Sequence, residues 1–310
     1  MSTKYNLNKE RRKTFYYFLS LWIIGFIVFQ IIPILWGFKV SLTNQMAFTI
    51  NLKFVGLKNY IKLMMDMSFW YSIYSTFVYS ILNSILQVGL GLFLALILEK
   101  SIRGKSFFQL AFFLPYIIPI VAAGWVFRVF LDKNIGMLNT IIQYLNFSAE
   151  GIHWLGEYPL SSILATNIWR VGWSLLIFIG GLSTIPKDLY DAAKVDGCKP
   201  LTMIRVITLP FLSPFIVFQL IVSFIYGFQE FILPYLLNPY PIRGAQLTMQ
   251  GDNISPSIYV ILTKGFDTVF VKNRLAYGFA MLWVTFILIL LFSLVFMKIL
   301  KKYTYTEIET

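Results

Sequence analysis

Two ionisable side chains stand inside or beside long apolar stretches of the sequence, where they could bind a solute. Arg170 lies well inside the stretch 158–186, and Glu230 directly follows the stretch 206–229. A charge is costly in hydrocarbon, so a charge that is retained there commonly serves a transport path, a counter-ion or a ligand. Two interpretations are open at this stage. The two residues contact a solute, or they neutralise each other as an ion pair between helices.

Catalytic chemistry finds little support in the sequence. The chain has one histidine, His153, and one cysteine, Cys198, so it cannot form a multi-histidine metal site. In the topology derived below these two residues fall in loops on opposite sides of a membrane, which excludes a nucleophile–base pair. Gly104-Lys105-Ser106 matches the end of a Walker A loop, but Glu99 occupies the position of its first glycine. We therefore expect no enzymatic activity and no cofactor in this chain.

The composition indicates that membrane helices carry these residues. Of the 310 residues, 58% are hydrophobic and only 13% are charged, and the mean hydropathy is +0.71. Soluble domains have about a quarter of their residues charged. The net charge of +12 does not indicate a nucleic-acid partner, because membrane insertion itself favours Lys and Arg in cytoplasmic loops.

Six stretches are long and apolar enough to cross the bilayer, since a helix needs about 20 residues to cross ~30 Å of hydrocarbon. Five of them contain no Asp, Glu, Lys or Arg, and the sixth contains only Arg170. Their apolar residues run all round the helix, which excludes the amphipathic stripe of a soluble helix. The stretches are 14–38, 69–98, 106–127, 158–186, 206–229 and 275–297.

The distribution of Lys and Arg predicts the orientation. With six spans both termini lie on one side, whose segments hold 15 basic residues in 53 positions, against 10 in 105 on the other side. The denser side is cytoplasmic by the positive-inside rule. We predict an all-α integral membrane protein with six transmembrane helices and cytoplasmic termini. Residues 1–14 form a cytoplasmic N-terminal arm, 15–303 the six-helix domain and 304–310 a cytoplasmic tail, and the outer loops carry short helices near 59–65 and 255–266.

The loop between the fourth and fifth spans, 186–210, is predicted to hold a short rigid helix with sharp ends. Pro186 suits the first helical turn, where its missing N–H costs nothing. Asp188 favours the positive N-terminus of the helix. Gly197 permits a left-handed stop, and Pro200 prevents simple continuation. Such a helix across the inner face suits the transmission of force between a membrane bundle and a soluble partner.

This loop resembles the EAA loop of permease subunits in binding-protein-dependent ABC importers, in which Glu-Ala-Ala precedes Asp-Gly-Ala and then Ile-x-Leu-Pro. Two mild departures are Asp191 in place of Glu and Cys198 in place of the second Ala. Further segments resemble the sugar-transport branch, maltose-type first permeases in particular, so the resemblance covers roughly residues 15–303. The matching loop segments are Asp191-Ala192-Ala193, Asp196-Gly197-Cys198 and Ile207-Thr208-Leu209-Pro210; the others are Phe54-Val55-Gly56-Leu57-Lys58-Asn59-Tyr60, Phe113-Leu114-Pro115-Tyr116-Ile117-Ile118-Pro119 and Gly136-Met137-Leu138-Asn139.

The resemblance implies a type I ABC importer permease fold in the cell membrane of a prokaryote, forming half of a translocation pathway for a sugar or oligosaccharide. It implies a second homologous permease subunit, two cytoplasmic ATPase subunits that bind ATP and Mg, and an extracytoplasmic solute-binding protein that delivers the sugar. ATP hydrolysis then belongs to the partner ATPase. The residues expected to couple this chain to the ATPase are Asp191, Ala192, Ala193, Asp196, Gly197, Leu209 and Pro210.

The resemblance also places solute contacts on the fifth span and on the fourth. Counted from Leu209-Pro210, the first set is Ser223, Tyr226, Gly227 and Glu230, whose spacing puts all four on one helix face. The second set is Trp169, Arg170 and Trp173. Gly227 and Glu230 replace amide residues of the maltose-type site, so we expect a sugar that is not bound as maltose is.

Two alternatives remain open from the sequence. Arg170 and Arg128 could pair with an anion, which would make the solute glycerol-3-phosphate or another anionic sugar derivative. A channel or an ion-coupled carrier would work without ATP, and it would require a buried carboxylate or a broken helix at mid-membrane. Glu230 is the residue nearest to that description.

Overall fold

The computed structural model describes residues 2–46, 53–99, 103–147, 150–238 and 260–301, and these residues are largely helical. Single π-helical turns occur at Ile27–Ile31, Ile204–Thr208 and Asp267–Val271. The helices are α1 (Ser2–Phe26), α2 (Ile32–Ser41), α3 (Lys58–Met64), α4 (Met67–Glu99), α5 (Lys105–Ile117), α6 (Ile120–Phe130), α7 (Met137–Tyr144), α8 (Trp154–Glu157), α9 (Pro159–Trp169), α10 (Gly172–Leu182), α11 (Lys187–Val195), α12 (Pro200–Met203), α13 (Leu209–Phe228), α14 (Ile232–Leu237), α15 (Ile261–Phe266) and α16 (Leu275–Lys301).

Four helices of the described residues are long and apolar enough to cross a membrane unbroken, and two bent helix pairs raise the number to six. The unbroken spans are Arg11–Ser41, Met67–Glu99, Pro200–Phe228 and Leu275–Ile299. These six elements coincide with the six predicted stretches. The sequence pattern did not predict that two of them are bent.

The third predicted span breaks after α5, and α6 continues at 91° to it. Ile118 has the extended backbone typical of a residue that precedes proline, with ψ of 130°, and Pro119 caps α6 with the same ψ. The pair Pro115 and Pro119 was the signal for this break, because neither proline can donate a backbone hydrogen bond to the preceding turn.

The fourth predicted span breaks at Arg170, where α9 ends and α10 continues at 47°. Arg170 adopts φ −96° and ψ 27°, outside the helical region. Non-helical backbone at membrane depth is tolerated only where it is buried in protein or lines a cavity. Both breaks therefore mark a part of the bundle where a cavity is expected.

The chain divides into two compact units, Met1–Asp66 with Gly265–Val284, and Met67–Lys264 with Thr285–Thr310. The first unit contains α1, α2 and α3. Here the Asn59 amide donates to the carbonyl oxygens of Ser41 and Thr43, both at 2.8 Å, and the Tyr60 hydroxyl lies 2.6 Å from that of Ser41. Gly56 has φ +58°, which favours glycine. These contacts give a structural reason for the segment 54–60 noted in the sequence.

The described helix bounds bear on three expected segments in or near this unit. The first helix begins at Ser2, so no break in secondary structure separates the expected arm, 1–14, from the span that follows. Helix α3, Lys58–Met64, agrees with the short helix expected near 59–65. Of the helix expected near 255–266, only α15 lies within the described residues.

The second unit is built around α4, against which α10 and α13 pack. Glycines allow the close approach. A Cβ at Gly91 would lie 2.5 Å from the Cβ of Ser174, and a Cβ at Gly227 would lie 2.8 Å from the Cα of Ser80. Small residues at such crossings let membrane helices gain dispersion energy along their length. The fully buried residues Leu175, Phe178 and Leu212 fill one core at this junction.

Candidate functional site

A cleft of about 550 Å³ lies in the second unit, beside both helix breaks. Its volume falls in the range of about 300–1,000 Å³ that small-molecule sites occupy. Helices α4, α9, α10 and α13 supply eight of the fifteen lining residues, and the others come from the two breaks and from the segment 229–232 after α13. The lining residues are Asn83, Gln87, Tyr116, Ile120, Asn167, Arg170, Trp173, Ser174, Gln219, Ser223, Tyr226, Gln229, Glu230, Phe231 and Ile232.

Five of the seven residues expected to contact a solute line this cleft. They come from two sequence-distant stripes, which α10 and α13 bring together because both helices pack on α4. The five are Arg170, Trp173, Ser223, Tyr226 and Glu230.

The other two expected residues lie outside the lining. Trp169 packs against Phe127, with ring centroids 5.4 Å apart. Gly227 is buried against Ser80 of α4, so it serves helix packing at that position. Ser223 and Tyr226 reach the cleft because they occupy the adjacent part of the same helix face.

Arg170 and Glu230 share the cleft without forming an ion pair, since no nitrogen–oxygen contact within 4.0 Å joins these two described side chains. The Arg170 guanidinium lies 5.5 Å from the ring centroid of Tyr116, and its Nη2 donates to the Tyr116 carbonyl oxygen at 3.4 Å. A cation at the C-terminus of α5 also interacts favourably with the negative end of that helix dipole. Glu230 accepts a hydrogen bond from the Leu233 N–H at 3.4 Å. The interpretation as a structural ion pair is therefore not supported by the geometry.

One wall of the cleft is aromatic. Tyr116 and Trp173 stack at a centroid distance of 5.7 Å with 21° between their planes. Trp173 remains 42% exposed and Tyr226 63% exposed, so part of each ring surface is available to a ligand. Such faces bind the C–H surfaces of a sugar ring while polar groups nearby bind its hydroxyls.

The floor of the cleft is a chain of polar side chains that connects four helices. Gln219 donates to the hydroxyls of Ser174 at 2.7 Å and Ser223 at 3.1 Å. The Ser174 hydroxyl donates to the side-chain oxygen of Gln87, Oε1, at 3.5 Å. The side-chain nitrogen of Gln87 donates to the backbone oxygen of Asn167 at 2.6 Å. Asn167 in turn donates to the Tyr79 hydroxyl. Buried polar groups that are joined in this way hold their neighbours in fixed orientations.

Sequence reasoning did not identify four of the lining residues, namely Gln219, Tyr116, Asn83 and Gln87. Gln219 lies one turn before Ser223 on the same face of α13, so the helical repeat contained its signal. Tyr116 lies between the two prolines of the third span and reaches the cleft only because α5 ends there.

The predicted coupling loop forms a short exposed helix followed by a sharp turn. Helix α11 ends in a Schellman motif, in which Cys198 N–H donates to the Ala193 oxygen at 2.9 Å and Gly197 N–H to the Lys194 oxygen at 3.0 Å. Gly197 has φ +73°, as the predicted left-handed stop requires. The hydroxyl groups of Tyr190 and Thr208 lie 2.9 Å apart, which links α11 to the π-helical turn before α13.

Most residues of the expected coupling set are available at the surface of this loop. Asp191, Ala192, Asp196 and Gly197 are exposed, whereas Ala193 and the first residues of α13, Leu209 and Pro210, are half-buried. The Asp191 carboxylate accepts a hydrogen bond from Lys194 at 2.7 Å, and this lysine lowers the pKa of the Asp191 carboxyl below its ordinary value. The carboxylate is therefore ionised at neutral pH.

The remaining sequence features that were considered for catalysis or metal binding lie in turns and loops outside the cleft. Gly104 has φ +82° and caps the N-terminus of α5, so Gly104-Lys105-Ser106 is the turn that begins a helix. Cys198 is exposed in the coupling loop. Among the described residues no three His, Cys, Asp or Glu side chains are grouped so that they could hold a metal ion.

The fold and these motifs define an importer permease. The chain belongs to the family of binding-protein-dependent transport system inner membrane components, which matches residues 87–303. It is therefore a membrane component of an ABC transport system.

Particular relatives extend this assignment over most of the chain. The trehalose/maltose transport system permease protein of Thermococcus litoralis is 29% identical over 277 residues, or 88% of each chain. The arabinooligosaccharides transport system permease protein of Bacillus subtilis is 30% identical over 92% of this chain and 87% of that one. A chain of a bacterial alginate ABC transporter, solved in complex with an alginate pentasaccharide-bound periplasmic protein, superposes with a TM-score of 0.80 at 21% identity, covering 96% of this chain and 98% of the other. That likeness confirms the type I permease fold.

Proposed function

We propose that this chain is one permease subunit of an ATP-driven importer for a neutral sugar or oligosaccharide. The observation that carries the proposal is the cleft, which combines the exposed faces of Trp173 and Tyr226 with amide and hydroxyl groups of the four surrounding helices. The two relatives named above are described as permeases for trehalose/maltose and arabinooligosaccharides, which supports a saccharide as the solute.

The charges of the cleft favour a neutral saccharide over an anionic one. Arg170 and Glu230 are the ionisable residues with opposite charges in its lining, so they offset each other there. Arg128, the other cation considered for an anionic solute, donates instead to the Leu236 carbonyl oxygen at 2.8 Å and lies over the ring of Trp125. One arginine facing a carboxylate in the same cleft is a poor site for a phosphate ester.

The remaining subunits follow from the mode of action of such an importer. The chain would pair with a second homologous permease and would dock α11 and the turn at Gly197 onto a cytoplasmic ATPase, two copies of which bind ATP and Mg. An extracytoplasmic solute-binding protein would deliver the sugar to the opposite face. Exposed apolar side chains at Val195 and Leu201, 88% and 81% exposed, support the ATPase contact, because large apolar groups beside charged ones are common at interfaces. In this proposal the chain itself has no catalytic role.

The test is purification of the chain from native membranes in mild detergent, followed by mass spectrometry of the copurifying proteins and an ATPase assay. We expect recovery of a second permease and an ATPase, and hydrolysis that a solute-binding protein loaded with a neutral oligosaccharide stimulates. Recovery of a homo-oligomer without an ATPase would contradict the proposal. Stimulation by glycerol-3-phosphate in preference to neutral sugars would instead support the anionic alternative.

A further inference from the structure

Three buried polar atoms on residues that line the cleft have no hydrogen-bond partner within the described part of the chain. They are Asn83 Oδ1, Gln219 Oε1 and Arg170 Nε. Asn83 is 8% exposed and Gln219 only 2%, so both amides lie deeper than Tyr226. An unpaired polar atom at such depth costs about 1–3 kcal/mol. Because all three atoms belong to residues that line one cleft, we infer that a bound ligand supplies their missing hydrogen-bond partners.

Hydrogen bonds hold the Gln219 amide, and Asn83 lies on the face of α4 that lines the cleft. Asn83 and Gln87 are one helical turn apart on α4, and so they face the same side. The nitrogen of Gln219 is held by Ser174 and Ser223, which leaves its oxygen without a partner. Both residues line the cleft, and neither unpaired oxygen has an internal hydrogen bond to lose when a ligand approaches.

The chemistry of these atoms selects among ligands. Two of them are acceptors and need a donor, whereas Arg170 Nε is a donor and needs an acceptor. A hydroxyl group donates and accepts, so a polyol can complete all three. A phosphate or carboxylate group brings acceptors only, so it would satisfy Arg170, whereas both amide oxygens still require hydroxyl donors from the rest of the ligand.

We propose that Asn83 and Gln219 form a hydroxyl-binding subsite beneath the Ser223–Tyr226 stripe, and that this subsite selects polyols by their hydroxyl groups. The inference rests on the proposed function, since it assigns the same cleft a solute. It adds two specificity-determining residues, Asn83 on α4 and Gln219 on α13. The ligand groups that these residues bind are hydroxyl donors. Rejection of a deoxy analogue follows, because the lost hydroxyl leaves an amide oxygen buried and unpaired.

The test compares sugars that differ by one hydroxyl in the complete importer with its partner subunits. From a panel of neutral gluco- and arabino-oligosaccharides, the sugar that the wild-type complex takes up fastest is compared with its monodeoxy analogues. For at least one ring position we expect the wild type to prefer the hydroxylated sugar about 10-fold, the usual effect of one buried hydrogen bond. In Asn83→Leu or Gln219→Leu that preference should fall to about 2-fold or less.

Each preference is a ratio of two rates measured on the same protein, so differences in expression cancel. Ser84→Ala is the matched control. Ser84 is buried on α4 next to Asn83, but its hydroxyl donates to the Ser80 oxygen of its own helix at 2.6 Å and it does not line the cleft. This variant should keep the wild-type preference. If Gln219→Leu does not assemble, Gln219→Asn withdraws the oxygen from the cleft while keeping an amide, and it should lower the preference in the same way.

The outcomes distinguish this subsite from the proposed function itself. Uptake of neutral sugars in which Asn83→Leu and Gln219→Leu slow the parent sugar and every deoxy analogue by the same factor would overturn the subsite alone. A wild-type complex that takes glycerol-3-phosphate in preference to every neutral sugar would overturn the proposed function, on which the subsite rests. Loss of the hydroxyl preference in the two variants, and not in Ser84→Ala, would support the subsite.

Discussion

Replacement of Gly197 tests whether the coupling loop needs its left-handed turn. This glycine has φ +73°, and a Cβ added to it would meet no other heavy atom within 4 Å. A Cβ at this position therefore meets no steric obstacle, and the cost of adding it comes from the backbone conformation. The perturbation isolates the geometry of the cap that ends α11.

The expected magnitude follows from that backbone conformation. An L-residue in the left-handed region costs about 1–2 kcal/mol, and a β-branched residue such as Val lies at the upper end. Such a cost shifts an equilibrium about 5- to 30-fold. We expect Gly197→Val to lower the equilibrium constant for forming the capped loop by this factor, because the hydrogen bonds from Cys198 and Gly197 N–H to the last turn of α11 require the left-handed residue.

The assay measures sugar uptake and stimulated ATP hydrolysis of the assembled importer in proteoliposomes. Gly197→Val should lower uptake per ATP hydrolysed while membrane insertion stays normal. Gly197→Asn should remain near the wild type, since Asn adopts the left-handed conformation readily. Gly180→Ala is the control in α10, where an added Cβ also meets nothing within 4 Å and the backbone has no positive φ. It should leave coupling unchanged.

Two results would refute this reasoning. Normal coupling in Gly197→Val would show that the turn is not needed for force transmission. Equal loss in Gly197→Val and Gly197→Asn would show that the absence of a side chain matters, and not the backbone conformation, because both variants add a Cβ but only one of them strains φ.

Three further substitutions follow from the packing and from the cleft. Gly227→Ala should lower the stability of the protein in detergent by about 1–3 kcal/mol, measured by thermal unfolding, because its Cβ would lie 2.8 Å from the backbone of Ser80. Asn139→Leu should cost at least about 2 kcal/mol and shift the fluorescence of Trp154, because the buried Asn139 amide accepts from that indole at 2.9 Å and also donates to three backbone oxygens. Tyr226→Ala should slow sugar uptake and leave assembly with the ATPase unchanged, because this side chain is 63% exposed in the cleft.

A specific result would contradict each of these three predictions. A Gly227→Ala protein as stable as Gly180→Ala would show that α13 and α4 can separate without loss. An unaltered emission spectrum in Asn139→Leu would contradict the hydrogen bond to the indole. Unchanged uptake by Tyr226→Ala over a range of sugar concentrations would remove this residue from the proposed solute path.

The sequence by itself determined the class of the protein, its six membrane-crossing segments and the form of the coupling loop. These features depend on local properties. About 20 apolar residues in a row suffice to specify a span, and Pro186, Gly197 and Pro200 specify the ends of α11 because each restricts or frees its own backbone. The stripe of Ser223, Tyr226 and Glu230 was also readable, since residues one turn apart share a helix face.

Only the tertiary structure decided which polar residues meet in the cleft and which ones pack. Gly227 has the right helical spacing for the stripe, yet the crossing of α13 and α4 places it against Ser80. Arg170 and Glu230 could have paired by their charges, but the break at Arg170 directs its guanidinium to the end of α5 instead. These outcomes depend on the distances between helices that are far apart in sequence, and a helical repeat contains no information on such distances.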